Sequence, residues 1–263
     1  MSEFPQFFET NKIIKDQDTF SASSGVGTVE NIADYSRITK WDSIGSNDAV
    51  TENIEVIFLT PDAQEENRTI DRVILTGCNA KLFRLYTSYW NGASYDAYVL
   101  RDTVTDSAIE NHIRTIASTS CGKIKIEMDT TIMVNEEKCI SEFIATKLLW
   151  EATMPMDVFD IKNSQKAVIR RLYNANGQKI HYYDKWGANI EFRQITKIEL
   201  DQLRYIYDNY NTFISITEPY DYLGNYDKPE EFYRVFITSP WTQKYFSNVK
   251  SAGYNVKLSL EEV

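Results

Sequence analysis

The sequence predicts a mainly β protein in two parts, an N-terminal β-sandwich followed by a C-terminal α+β domain with one main helix on a sheet. Three observations carry this. Residues 1 to about 150 run as short apolar–polar alternations separated by polar turns, without a sustained helical period. Near Met154-Pro-Met156 the pattern changes. Beyond it, one capped helical segment stands among strand-like runs, opened by the capping box Thr196-Lys-Ile-Glu199. Domains are therefore expected at 1–153 and 165–263, joined by a linker over 154–164.

In the first part, Ile54–Phe58, Ile70–Asn79, Leu82–Ser88 and Gly122–Met128 alternate as strands do, and Cys139–Lys147 closes the sandwich. Thr103–Thr119 reads as a short helix or a loop excursion. In the second part, Val168–Tyr173 and Lys179–Tyr183 flank Asn174-Ala-Asn-Gly177, whose turn chemistry predicts a hairpin. Trp186–Phe192 is the next strand. Ile198, Leu203, Ile206, Tyr207 and Tyr210 recur at helical spacing behind the capping box, predicting about four turns. Thr212–Thr217, Phe232–Ile237 and Tyr254–Leu260 then read as strands.

A chain of 263 residues is near the size at which one core commonly splits into two. Its 28 Lys and Arg face 38 Asp and Glu, and the excess lies in residues 1–155, with 14 basic against 24 acidic side chains. An acidic surface without a basic stripe disfavours nucleic acid as a partner. Cys78, Cys121 and Cys139 are odd in number and lack C-x-x-C spacing, which fits reduced, buried thiols. The first residues lack a basic and apolar leader, and no apolar run reaches 18 residues, so neither export nor a membrane span is expected. Asn67-Arg-Thr69 is a glycosylation sequon by pattern only.

No catalytic constellation is visible. His112 and His181 stand far apart, with no Cys or Ser motif beside either, and read as structural. Gly25-Val-Gly27 lacks the third glycine and the following helix of a nucleotide loop. Glu65-Glu66, Glu136-Glu137 and Glu230-Glu231 are adjacent pairs, which read as solvated surface. No catalytic residue and no enzymatic activity are proposed. Asp34, five residues before Thr39, reads by itself as the cap of an Asx-turn. Tyr89, Trp90 and Tyr95 cluster after a strand and suit either packing or stacking on a sugar face.

The loop Asn31–Trp41, with Asp34, Thr39 and Trp41 followed by the strands above, resembles the opening of the galactose-binding-like jelly roll of discoidin, or coagulation factor 5/8 type C, domains. That family carries Asp-Gly-x-x-x-Thr-x-Trp here. This chain has Tyr35 where the family usually has Gly, which puts the loop geometry in question. The resemblance implies a candidate calcium site of Asp34, Thr39 and Glu142, where the opening loop meets the last strand. It also implies a glycan platform at Tyr89, Trp90 and Tyr95. The second half resembles minor structural proteins of tailed bacteriophages in its order of motifs, with Trp186–Phe192, Glu199–Tyr207, Phe213, Pro229–Val235 and Gly253–Glu261 in sequence.

The expectation from these readings is a non-enzymatic structural component of a phage tail or phage-like particle, its jelly roll serving attachment or decoration. It would be made in the bacterial cytoplasm and assembled into a virion or phage-like particle, with other structural proteins as partners in a symmetric assembly. The alternative is a carbohydrate-binding module for glycan adhesion. Calcium is the one candidate cofactor.

Overall fold

A computed structural model describes residues 6–35, 39–152, 157–161, 164–171, 177–185, 187–216, 232–245 and 253–263. The chain is mainly β, a sandwich together with a sheet that carries one α-helix, and it divides into two compact units.

The first unit is built on Asn11–Lys147. Its five-stranded antiparallel sheet runs Thr19–Ala22, Glu52–Ile57, Lys123–Met128, Phe83–Ser88, Val99–Val104. A three-stranded sheet runs Glu142–Thr146, Arg68–Thr76, His112–Cys121, and a short pair joins Trp41–Asp42 to Cys139–Ile140. The period-2 pattern explains the pairing: Ile54, Val56, Ile124, Ile126, Phe83 and Leu85 turn inward to meet Ile70, Val73, Leu75 and Phe143 from the other sheet in one core. Residues 103–119 are not helical. Val99–Val104 and His112–Cys121 are strands in different sheets, so this stretch crosses the sandwich.

Trp41, the last residue of the opening motif, is fully buried and donates its indole N–H to the Ser24 carbonyl at 3.1 Å. Gly25 is left-handed at φ 61°, and a Cβ there would lie 2.1 Å from the Asp42 carbonyl oxygen. That close approach accounts for the glycine without any phosphate. Tyr35 also adopts a left-handed φ, 57°, so the loop keeps the turn a glycine would make easily. The three cysteines are free, with Cys78 and Cys121 buried. Desolvation pushes both thiols up to about 12. His112 is buried against the Phe83 ring at 4.9 Å, and burial holds it down at about 4, as a core histidine.

The second unit combines Met1–Thr10 with Leu148–Gly224 and Glu231–Val263. Its antiparallel sheet runs Leu148–Glu151, Gln6–Phe8, Phe213–Ile216, Phe232–Ile237, Tyr254–Glu262, Gly187–Ile195, Asp157–Ile161, with Thr242–Tyr245 also paired to Tyr254–Glu262. Where the sequence predicts a boundary at 153 and a linker over 154–164, the structure has Leu148–Glu151 already in this sheet and its strand Asp157–Ile161 inside the expected linker. The first strand, Gln6–Phe8, pairs with Leu148–Glu151 and Phe213–Ile216. In topology, then, the sandwich is an insertion between two neighbouring strands of the α+β unit. Three residues carry no periodic signal, which is why sequence alone placed them with the sandwich.

Phe7 sits at the centre of this unit's core. Its ring is 4.9 Å from Phe213, 5.4 Å from Trp150 and 6.0 Å from Phe192. The helix Lys197–Asn209 starts on the expected capping box, Thr196 accepting from the Glu199 amide at 3.2 Å and Glu199 accepting from the Thr196 amide at 2.8 Å. Leu200, Leu203 and Ile206 face the core, whereas Ile198 is exposed, because the i, i+3, i+6 stripe begins at Leu200. Gly177–Lys185 pairs with Ser164–Arg171 as expected, while the turn tip 174–176, Trp186 and the segment 229–231 lie outside the described residues.

Phe7→Ala should lower the stability of the α+β unit by about 3 to 5 kcal/mol through loss of buried area and the cavity left behind. Urea unfolding with residue-resolved amide exchange checks this. Loss of protection in Gly187–Ile195 with protection retained in Lys123–Met128 is the expected result; the reverse would return the first strand to the sandwich.

Candidate functional site

Tyr89, Trp90 and Tyr95 lie in the loop that follows the strand Phe83–Ser88, and the structure brings Trp90 and Tyr95 together. The loop is folded on itself. Asp96 N–H donates to the Tyr89 carbonyl at 2.9 Å, Trp90 bridges Tyr95, and the Asn91 side chain accepts from the Ala93 and Ser94 amides at 3.0 Å each. Gly92, at φ 95°, makes the reversal. The Trp90 and Tyr95 rings pack at 4.8 Å and 47°.

Two residues that sequence reading did not select hold this pair. Asn67 donates to the Trp90 carbonyl at 2.7 Å and accepts from the Trp90 amide at 2.9 Å, so the asparagine of the sequon is a structural clamp. Gly122 lies beneath, where a Cβ would come within 2.8 Å of Trp90 Cβ and 2.9 Å of Tyr95 Cε1. Both are distant in sequence, and no local pattern marks them.

The three aromatics are not equivalent. Lys123 Nζ sits 4.2 Å from the Tyr95 ring centroid, and the buried Tyr95 hydroxyl has no hydrogen-bond partner among the described residues. Burial pushes that phenol up to about 12. Tyr95 therefore supports Trp90 and does not offer a free face. Tyr89 is 47% exposed and Trp90 partly exposed, and these two remain available to a ligand. In the same turn, Asn91 donates through Nδ2 to Ser94 Oγ and to Asp96 Oδ1 at 3.2 Å each. The neighbouring outer face of the sheet is already self-satisfied: Lys125 Nζ lies 4.7 and 4.4 Å from the Tyr86 and Tyr98 rings, Lys123 donates to Glu55 at 3.1 Å, and Tyr98 donates to Glu55.

In the opening loop, Thr39 donates to Asp34 at 2.7 Å, joining two of the three residues named for calcium. The Lys15 ammonium approaches the same Asp34 oxygen at 3.7 Å. Glu142 is buried and accepts from the Thr76 hydroxyl at 3.2 Å. A calcium ion takes six to eight oxygens. Here one carboxylate faces a lysine cation and another faces a hydroxyl, and among the described residues no group of three or more His, Cys, Asp or Glu could hold a metal. This donor set does not fit calcium. Addition of Ca²⁺ should leave the melting temperature unchanged, while Lys15→Ala should reduce the unfolding free energy by up to about 1 kcal/mol, the magnitude of a solvent-accessible pair. A calcium-dependent rise in differential scanning fluorimetry, absent in Asp34→Ala, would restore the metal.

No family model and no curated protein matches this chain. Solved structures do resemble it in fold. Chitosan-binding module 1 from a Paenibacillus sp. IK-5 chitosanase/glucanase matches at 17% identity and TM-score 0.44, over 52% of this chain and 98% of the module. Module 2 of the same enzyme, solved with chitotriose, gives 17% and 0.43 over 51% and 98%. A Clostridium perfringens module, CpGH89CBM32-5, solved with GalNAc-β-1,3-galactose, gives 13% and 0.39 over 51% and 97%. Among the described residues no helix is long and apolar enough to cross a membrane.

Proposed function

We propose that the sandwich unit is a non-catalytic carbohydrate-binding module whose site is the loop Tyr89–Asp96. The observation that carries this reading is the braced Trp90. A saccharide presents an apolar C–H face ringed by hydroxyls, and it is met by an aromatic ring fixed in place beside amide, hydroxyl and carboxylate groups. Asn67, Tyr95 and Gly122 fix Trp90, the exposed Tyr89 precedes it in the chain, and Asn91, Ser94 and Asp96 in the same loop carry the polar groups a saccharide's hydroxyls would meet. Chitotriose and GalNAc-β-1,3-galactose, with which two of the modules named above were solved, are the first saccharides to try.

Trp90→Ala and Tyr89→Ala should each weaken glycan binding on an array by roughly tenfold or more, the loss of about 1.4 kcal/mol of contact. Because Tyr89 is exposed, its variant should keep the wild-type melting temperature. An array blank for the wild-type protein, or binding untouched by both variants, would remove this site.

A second reading, a structural component of a phage tail or phage-like particle, is supported by the insertion topology. Both ends of the sandwich return to adjacent strands of one sheet, an arrangement suited to carrying a module on an assembly platform. Mass spectrometry of purified particles from the producing cells should find the chain in stoichiometric amount; its absence there would end this reading.

A further inference from the structure

The α+β unit has an open groove of about 570 Å³ between the first two turns of the helix Lys197–Asn209 and the segment Trp241–Gln243. Lys197, Asp201 and Arg204 line its helix side, one turn apart on the same stripe, with the buried Leu200 beneath them. Trp241, Thr242 and Gln243 line the other side. A space of this size suits a small ligand, and the side chains around it are mostly polar.

The aromatic wall is fixed in place. The Trp241 amide donates to the Tyr207 hydroxyl at 3.2 Å, and its indole N–H donates to Gln243 Oε1 at 2.9 Å. The Tyr207 and Trp241 rings lie 5.4 Å apart, and the Arg204 guanidinium carbon stands 5.3 Å from the first ring centre and 5.2 Å from the second. A guanidinium is attracted to both rings at such distances. Arg204 donates through Nε to Asp208 at 2.7 Å, and its two Nη groups donate to no described residue. The other groups left over are donors as well. Gln243 has its oxygen engaged and its amide N–H groups unengaged, and the Asp201 carboxylate is already met by the Lys197 ammonium. The strand Thr242–Tyr245 pairs only with Tyr254–Glu262 among the described strands, so one edge of its backbone is open beside the groove.

A ligand that complements these groups brings acceptors, one of them anionic, together with an apolar face for the indole. We propose that the groove binds a carboxylate-bearing saccharide, a uronic acid or a short chain of them. A planar carboxylate accepts two parallel bonds from the Nη side of a guanidinium, and the stacked Arg204 is already oriented to give them. The C–H face of the sugar ring lies against Trp241, and its hydroxyl oxygens accept from Gln243 and Lys197. An acidic peptide would carry its carboxylate on a flexible stem and pay more to order it, which favours the rigid sugar ring. The site belongs to the α+β unit, shares no residue with the Tyr89–Asp96 loop and does not rest on the sugar reading of that loop.

Trigalacturonate titrated into the full chain and followed by heteronuclear NMR should shift the Trp241 indole and Gln243 side-chain signals. Cellotriose, a neutral trisaccharide, should bind there roughly tenfold or more weakly, and trigalacturonate should lose roughly the same factor in Arg204→Gln. Arg204 is half-exposed, so this variant should keep the wild-type melting temperature. Arg204→Lys, which retains the charge without the planar fork, should recover little of the affinity. Trp90→Ala should leave trigalacturonate binding at the groove intact, which separates this site from the sandwich loop. Trigalacturonate that shifts no signal of the groove, an affinity unaltered in Arg204→Gln, or a triglutamate peptide bound as tightly as the sugar acid would each overturn the proposal.

Discussion

The first unit depends on one buried ion pair. Arg68, at the start of the central strand of the three-stranded sheet, reaches Asp18 at 2.7 Å, and the Asp18 side chain is removed from solvent. The same guanidinium bonds to Glu66 at 2.6 Å and to the carbonyls of Lys12 and Leu59, and lies 4.9 Å from the Phe58 ring centre. Asp18 in turn accepts from the Ile14 and Leu59 amides at 2.7 and 3.0 Å. Burial pushes the Asp18 carboxyl up, against the pull of those donors. A pair this deep adds little net stability by itself, but neither partner tolerates loss of the other, because an uncompensated buried charge costs several kcal/mol. The result is a fixed meeting point for the segment 12–18 and the turn 58–68.

From that point the geometry of the sandwich follows. The segment after residue 10 is pinned along the last strand by Asn11, whose side chain donates to the Phe143 carbonyl at 3.2 Å and accepts from the Ala145 amide at 3.0 Å. Arg68 directs the adjoining strand, and Asn67, one residue earlier, clamps Trp90. The clamp that positions the candidate sugar-binding ring is thus built on the residue beside the buried pair. A loop held from beneath in this way loses little entropy on binding, which suits a rigid recognition surface.

The chain uses aromatic residues in three ways that composition does not separate. Phe7, Trp150, Phe192 and Phe213 form a dry cluster under the helix-bearing sheet. Tyr86, Tyr95 and Tyr98 have lysine ammonium groups over their rings and support the outer face of the sandwich. Tyr89 and Trp90 keep exposed surface. The difference lies in what stands opposite each ring, a property of cross-strand register that emerges only when Tyr86 is aligned with Lys125 across two strands.

The sequence by itself determined the elements whose signals are local. Alternation placed the strands Ile54–Phe58, Leu82–Ser88 and Gly122–Met128, and the reciprocal bonds of Thr196 and Glu199 set the helix start, because both depend on residues a few positions apart. It also pointed to the loop in which Trp90 and Tyr95 pack together. Only the tertiary structure decided that Gln6–Phe8 belongs to the second sheet, that residues 103–119 cross between sheets, and that Asp34 faces Lys15 and Thr39. Each of these is settled by a partner far along the chain. A three-residue strand has no periodicity to read, and a carboxylate's neighbours are fixed by packing, so neither leaves a mark in its own stretch of sequence.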